Sequence, residues 1–203
     1  MFHCKTDSTD NKSPTPLTEQ DKSKIRQLAE MYDQSKKGGL EFDEFLGFMK
    51  AVTGLSDYND IDGEVPESGR VNIVFLKFLY DGMDLDAKNN VPIDQVCDCV
   101  AAINEKNYKW ITKMVFRGCD FERKRKIGAE DIQNAIQNAN KDSGKNAFSS
   151  EEFDEKCKEV FGQTKKTLEY HEFYKLVTGE TINPNTDPYD GSLTSQSKCC
   201  LLL

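Results

Sequence analysis

An all-α chain of four helix-loop-helix units is what this sequence predicts, on three observations. Apolar residues recur at helical spacing on both sides of four polar stretches. Each polar stretch carries one aliphatic residue at a corresponding place, Leu40, Val91, Ile127 and Leu168, spaced 51, 36 and 41 residues apart. Two units share wording, YDQSKKGGLEFDEF beside FGQTKKTLEYHEF. Recurrence of this kind marks copies of one supersecondary unit, since a single copy cannot bury its apolar face alone. Each loop aliphatic is expected to form a short two-stranded link that pairs neighbouring loops.

The elements follow in order. Residues 1–16 (MFHCKTDSTDNKSPTP) are polar and aperiodic and are expected to be disordered. The first helix opens at Leu17 and Thr18, where Thr18 caps and Asp21 answers it three residues on. Ile25, Leu28, Met31 and Tyr32 mark its apolar face; DQSKKGGLEFDE at 33–44 interrupts the period, and Phe42, Phe45, Leu46, Met49 and Val52 resume it up to Gly54. Residues 55–70 read as an insertion. The second unit has Ile73, Phe75, Leu76 and Leu79 before DLDAKNNVPIDQ at 84–95, then Val96, Val100 and Ile103. In the third, Trp110, Ile111, Met114 and Val115 precede DFERKRKIGAED at 120–131, and Ile132 and Ile136 follow. The fourth opens on a Ser149 or Ser150 cap, with Phe153, Cys157, Val160 and Phe161 before FGQTKKTLEYHE at 161–172, then Phe173, Leu176 and Val177. The expected organisation is a disordered segment at 1–16, a first pair of units at 17–104, a second at 105–179, and a flexible tail at 180–203.

Composition narrows the function. The chain has 203 residues, enough for a sizeable core, and 27 Lys and Arg against 35 Asp and Glu leave a net charge of −8, which repels a phosphate backbone. Nucleic acid is therefore not an expected partner. Seven cysteines form no disulfide framework and no apolar leader follows Met1, so a reducing, cytoplasmic setting is expected. Cys97 and Cys99 do not share a helix face and no histidine lies near them to complete a zinc set. The longest apolar stretch, near Val71 to Tyr80, is half of the roughly 20 residues a spanning helix needs. Only His3 and His171 are available as histidine bases, and no cysteine or serine is recognisably paired with one, so no enzyme is expected.

On these motifs, residues 17–178 resemble the EF-hand superfamily, and LTEQDKSKIRQLAEMYD before the first loop resembles the opening of its calmodulin-like members. The resemblance implies four EF-hands in two lobes. In such a loop, oxygens from positions 1, 3 and 5, the carbonyl at 7, often a water through 9 and a bidentate Glu at 12 hold Ca²⁺, with Gly at 6 for the turn. By that scheme loop one supplies Asp33, Ser35, Gly39 through its carbonyl, Glu41 and Glu44, with Gly38 at the turn. It is the best candidate Ca²⁺ site. Loop two keeps Asp84 and Asp86 but has Asn89 at the Gly position, Pro92 at 9 and Gln95 at 12. Loop three has Asp120 and Glu122, then Arg125 at the Gly position and the shorter Asp131 at 12. Loop four starts on Phe161 and keeps Glu172; a one-residue gap in aligning it on loop one fits equally well.

Position 5 is lysine in all four loops: Lys37, Lys88, Lys124 and Lys165. An ammonium has no lone pair to give and repels a divalent ion. Two readings stay open. The ammonium takes the ion's place among the acidic residues at 1, 3 and 12, or it points to solvent from a degenerate loop. The formal charge is −2 in loops one and two and zero in loops three and four, which weakens any calcium response of the second lobe.

The chain ends Cys200-Leu201-Leu202-Leu203, a C-a-a-X prenylation box whose final Leu favours geranylgeranyl, with Cys199 beside it as a palmitoylation candidate. One lipid anchors marginally, so stable attachment is expected to need the second. The expected function is a calcium-sensor-like EF-hand protein, peripheral on a membrane through its C-terminal lipid. It would bind a protein partner such as an amphipathic helix, with at most one or two weak Ca²⁺ sites; Phe42, Phe45, Met49 and the aromatic-rich helix around Phe75 to Tyr80 would supply its groove, although each of these side chains reads more simply as ordinary core. The alternative is a calcium-independent EF-hand adaptor or regulatory subunit. A calcium buffer, which needs several strong loops, is disfavoured.

Overall fold

The computed structural model describes residues 16–53, 67–143 and 167–190. These are mostly helical: α1 Glu19–Tyr32, α2 Phe42–Thr53, α3 Glu67–Met83, α4 Ile93–Asn104, α5 Tyr108–Cys119, α6 Ala129–Ser143 and α7 Tyr170–Thr178. Four two-residue strands accompany them, β1 Gly39–Leu40, β2 Val91–Pro92, β3 Lys126–Ile127 and β4 Leu168–Glu169. The cap foreseen for α1 is present: Asp21 N–H donates to Thr18 Oγ1 at 3.1 Å, and Thr18 N–H donates to Asp21 Oδ2 at 3.2 Å. α3 begins at Glu67, earlier than the insertion at 55–70 allowed, because the apolar period that reveals it starts only at Val71. The expected helix at 149–161, the first six residues of loop four, the segment 1–15 and Cys199 and Cys200 lie outside the described residues.

β1 pairs antiparallel with β2, setting Leu40 opposite Val91, and β3 pairs antiparallel with β4, setting Ile127 opposite Leu168. The four loop aliphatics thus meet in two pairs, first with second and third with fourth. All four are buried, each at the base of a hydrophobic core. The first core gathers Phe42, Phe45, Phe48 and Met49 from α2, Leu76, Leu79, Tyr80 and Met83 from α3, and Val96, Cys99 and Val100 from α4. Tyr80 anchors it: its ring lies edge-on to Phe42 at 5.3 Å, and its hydroxyl lies 3.0 Å from the Leu40 carbonyl oxygen and 3.1 Å from Asn89 Oδ1. Tyr80→Phe deprives a buried carbonyl of its donor and is expected to cost about 1–2 kcal/mol. An unshifted urea midpoint would show that the hydroxyl contributes nothing.

Phe42, Phe45 and Met49, for which the sequence favours core packing over a groove for a partner helix, are at most 5% exposed and belong to this core. They offer no open groove in this conformation. The second core collects Val74 and Phe78 from α3, Phe116 and Cys119 from α5, Ala135 and Ala139 from α6, and Tyr170, Phe173 and Tyr174 from α7. α3 therefore feeds both cores, and it crosses α5 at very short range. A Cβ built on Gly82 would stand 2.0 Å from the Met114 carbonyl oxygen, and one on Gly118 would stand 2.2 Å from that of Phe78. The two cores are joined through this crossing.

Residues 180–190, expected as the start of a flexible tail, pack against α5 and the loop after it. Ile182 joins the second core and Pro188 is buried. The physical reason is the pair of cations on α5, Lys113 and Arg117, which draw in the carbonyl oxygens of Pro188 and Asp190. No described helix is long and apolar enough to cross a membrane.

Candidate functional site

Three loops, 33–44, 84–95 and 120–131, are built alike. Each opens on an aspartate that ends a helix and turns its carboxylate back onto the loop. Asp33 accepts N–H groups from Lys37 at 3.0 Å and Gly38 at 3.0 Å; Asp84 accepts from Lys88 at 3.2 Å and Asn89 at 2.8 Å; Asp120 accepts from Lys124 and Arg125, both at 2.8 Å. Between them the backbone twice enters the left-handed region at the same two places: Lys36 and Gly38, Ala87 and Asn89, Arg123 and Arg125. Only the first loop uses glycine at the second place. The other two accept about 1 kcal/mol of local strain per residue, offset by the paired amide bonds to the aspartate.

Loop one carries the fullest oxygen set. Glu44 accepts Ser35 N–H and Glu41 N–H, both at 2.9 Å, so its carboxylate folds back over the loop from the first turn of α2. Ser35 Oγ donates to Asp33 Oδ1 at 3.3 Å. Burial would raise the Asp33 carboxyl, yet the N–H groups of Gly38 and Lys37 and the Ser35 hydroxyl together hold it below its ordinary value of 3.8. Gly39, whose carbonyl was expected to ligate, sits in β1, and a Cβ there would meet the Val91 carbonyl oxygen at 2.6 Å. Only glycine fits that approach.

The position-5 lysines all turn to carboxylates in the described loops. Lys124 Nζ lies 2.8 Å from Asp131 Oδ1 and 3.4 Å from Glu122 Oε2, bridging positions 12 and 3. Lys88 pairs with Asp86 at 2.6 Å, holding that carboxyl below its ordinary value. Lys37 pairs with Glu41, at position 9 instead of the expected 1, 3 or 12, because Glu44 is already committed to two amides. The Lys37 and Lys88 ammonium groups are exposed to solvent, which screens these pairs and leaves them little weight in stability. Only Lys124 stands among positions 3 and 12 as the first reading has it; Lys37 and Lys88 are 54% and 74% exposed on one carboxylate each, closer to the second reading. Burial pushes the Asp84 carboxyl up, and the neighbouring Asp86 adds to the rise. In loop three the Tyr189 hydroxyl lies 2.9 Å from Asp120 Oδ2, and burial keeps that phenol protonated by raising its pKa. Loop four shows its closing half: Glu172 Oε2 accepts Glu169 N–H at 3.0 Å.

Among the described residues no three His, Cys, Asp or Glu side chains form a metal-holding group. The donor chemistry nonetheless separates the loops. Asp33, Ser35, the Gly39 carbonyl, Glu41 and Glu44 are all oxygen donors, and Lys37 engages only Glu41, which suits a hard cation such as Ca²⁺. In loop three both ends of the oxygen set are engaged by other side chains, Asp131 by Lys124 and Asp120 by Tyr189. Loop two has Gln95 in place of the closing carboxylate and Lys88 on Asp86, which leaves Asp84 and Asp86 fewer oxygens for a cation than loop one offers. Tyr189, Arg117 and Lys113 were not foreseen; the one signal for them was an aromatic residue, Tyr189, in an otherwise polar stretch. No family model matches the chain, and no curated protein matches it.

Proposed function

We propose that the chain is an EF-hand-type regulatory protein, calcium-sensor-like, in which loop 33–44 is the one weak Ca²⁺ site and the other described loops are held by their own lysines. The observation that carries this reading is the loop backbone itself. The first-position aspartate bonded to the amides of positions 5 and 6, the two left-handed residues at 4 and 6, and the strand residue at 8 recur in three loops. In that reading Asp33, Ser35, Gly39, Glu41 and Glu44 hold the ion. When bound, Ca²⁺ would supply positive charge to a loop that carries the carboxylates of Asp33, Glu41 and Glu44. Glu44 couples it to the fold, since it sits in the first turn of α2, whose Phe45, Phe48 and Met49 fill the first core. A protein partner is part of this reading. An amphipathic helix would have to open that core, because its phenylalanines are buried in the present conformation. The membrane is reached through a lipid on Cys200, with Cys199 as the second attachment.

A calcium-independent EF-hand adaptor is the second reading, and the bridge of Lys124 between Glu122 and Asp131 favours it. Calorimetric titration of the full chain with Ca²⁺ in millimolar Mg²⁺ separates the two. The first reading expects one saturable event with a dissociation constant near 10⁻⁵ M or weaker, lost in Glu44→Gln and kept in Asp84→Asn. Silence up to millimolar Ca²⁺ removes the sensor reading and leaves the adaptor.

A further inference from the structure

Residues 187–190 lie across α5 and loop three like a bound peptide. Asp187 takes a forked ion pair from Arg125, with Nε to Oδ1 at 3.3 Å and the terminal nitrogen to Oδ2 at 3.0 Å. The Tyr189 ring sits between two guanidinium groups, 5.5 Å from that of Arg117 and 5.6 Å from that of Arg125, and its hydroxyl reaches Asp120. Arg117, only 7% exposed, donates through Nε to the Pro188 carbonyl and through a terminal nitrogen to the Asp190 carbonyl at 3.3 Å; Lys113 also donates to Asp190 O. Four side chains from one helix and the following loop thus read an acid, two main-chain carbonyls and an aromatic hydroxyl in sequence.

Two features say that this arrangement suits exchange. Both α5 cations spend their hydrogen bonds to the segment on neutral carbonyl oxygens, whereas a carboxylate in the same place would bond about twice as strongly. Burial, with Arg117 beside it, lowers the Lys113 ammonium, and the occupant's Asp190 and Asp187 offset that only in part. We propose that Lys113, Arg117, Asp120 and Arg125 form a peptide-binding site, occupied in cis by residues 187–190, which accepts in trans an extended acidic partner segment carrying a tyrosine next to carboxylates. The site stands apart from loop 33–44 and does not depend on calcium binding there.

The test uses the full chain and a fluorescein-labelled peptide of residues 183–191, NPNTDPYDG. A tethered occupant competes at an effective concentration on the order of millimolar, so the native chain should bind the free peptide poorly. Asp187→Ala combined with Tyr189→Ala frees the site, and fluorescence polarisation should then show binding at least tenfold tighter than to the native chain. Arg125→Ala added to that variant should abolish it. Asp187→Ala alone, which keeps the Tyr189 contact, guards against a freed variant that fails to fold and should show an intermediate gain. A freed variant with native-like circular dichroism that binds no better than the native chain overturns the proposal, as does binding that survives Arg125→Ala.

Discussion

Gly118→Ala should destabilise the protein by about 3 kcal/mol, the reverse of the roughly 1 kcal/mol gain that alanine brings to an unobstructed helix interior. The new methyl would lie 2.2 Å from the Phe78 carbonyl oxygen and 3.0 Å from its carbonyl carbon and Cα, all backbone atoms of α3. No rotamer relieves that contact, so the helices must separate. Both cores then loosen, since α3 contributes to each. Gly82→Ala meets the Met114 carbonyl oxygen at 2.0 Å and should cost as much. The two changes open the same crossing, and the double variant should lose less than their sum. Gly47→Ala, whose methyl would face only the Tyr32 ring at 3.2 Å, is the control and should stay near neutral. Urea unfolding of the four proteins measures this. A rise in midpoint for Gly118→Ala would mean that α3 and α5 do not cross this closely in solution.

Asp120→Ala should cost a similar amount, about 3 kcal/mol, by stripping a buried acceptor from several donors at once. Asp120 is 1% exposed, and its carboxylate holds the Lys124 and Arg125 N–H groups as well as the Tyr189 hydroxyl. Asp84 makes the same two amide bonds in loop two, but it is half-buried and burial disfavours its charge. Asp84→Ala should therefore cost clearly less. The pH dependence has a definite sign. Because the folded pKa of Asp84 is raised above 3.8, its ionised form subtracts stability at all pH above the folded value, and this loss fades as the pH falls towards 3.8. The cost of Asp84→Ala is accordingly expected to grow as the solution is acidified through that range and to be level above it. Equal costs for Asp84→Ala and Asp120→Ala at pH 7 would contradict the burial difference on which the ordering rests.

The helices that flank the loops, the Thr18 cap and the pairing of Leu40 with Val91 and Ile127 with Leu168 were legible in the sequence. Each rests on a period, a cap or a loop position that neighbouring residues specify among themselves. That 33–44 forms a turn between two helices was legible for the same reason, as its residues lie within twelve positions of one another. Which carboxylate each lysine would take was not, because Lys37, Lys88 and Lys124 have several acids within reach and the choice falls to whichever is not already bonded to the backbone. Tertiary structure alone decided the rest. Gly82 and Gly118 look like weak points of two separate helices until the helices cross. Tyr189 stands 69 residues beyond Asp120, and no local pattern encodes a contact made across that distance. Local periodicity determined what the segments are; close packing between distant segments determined which of their side chains remain available to a ligand.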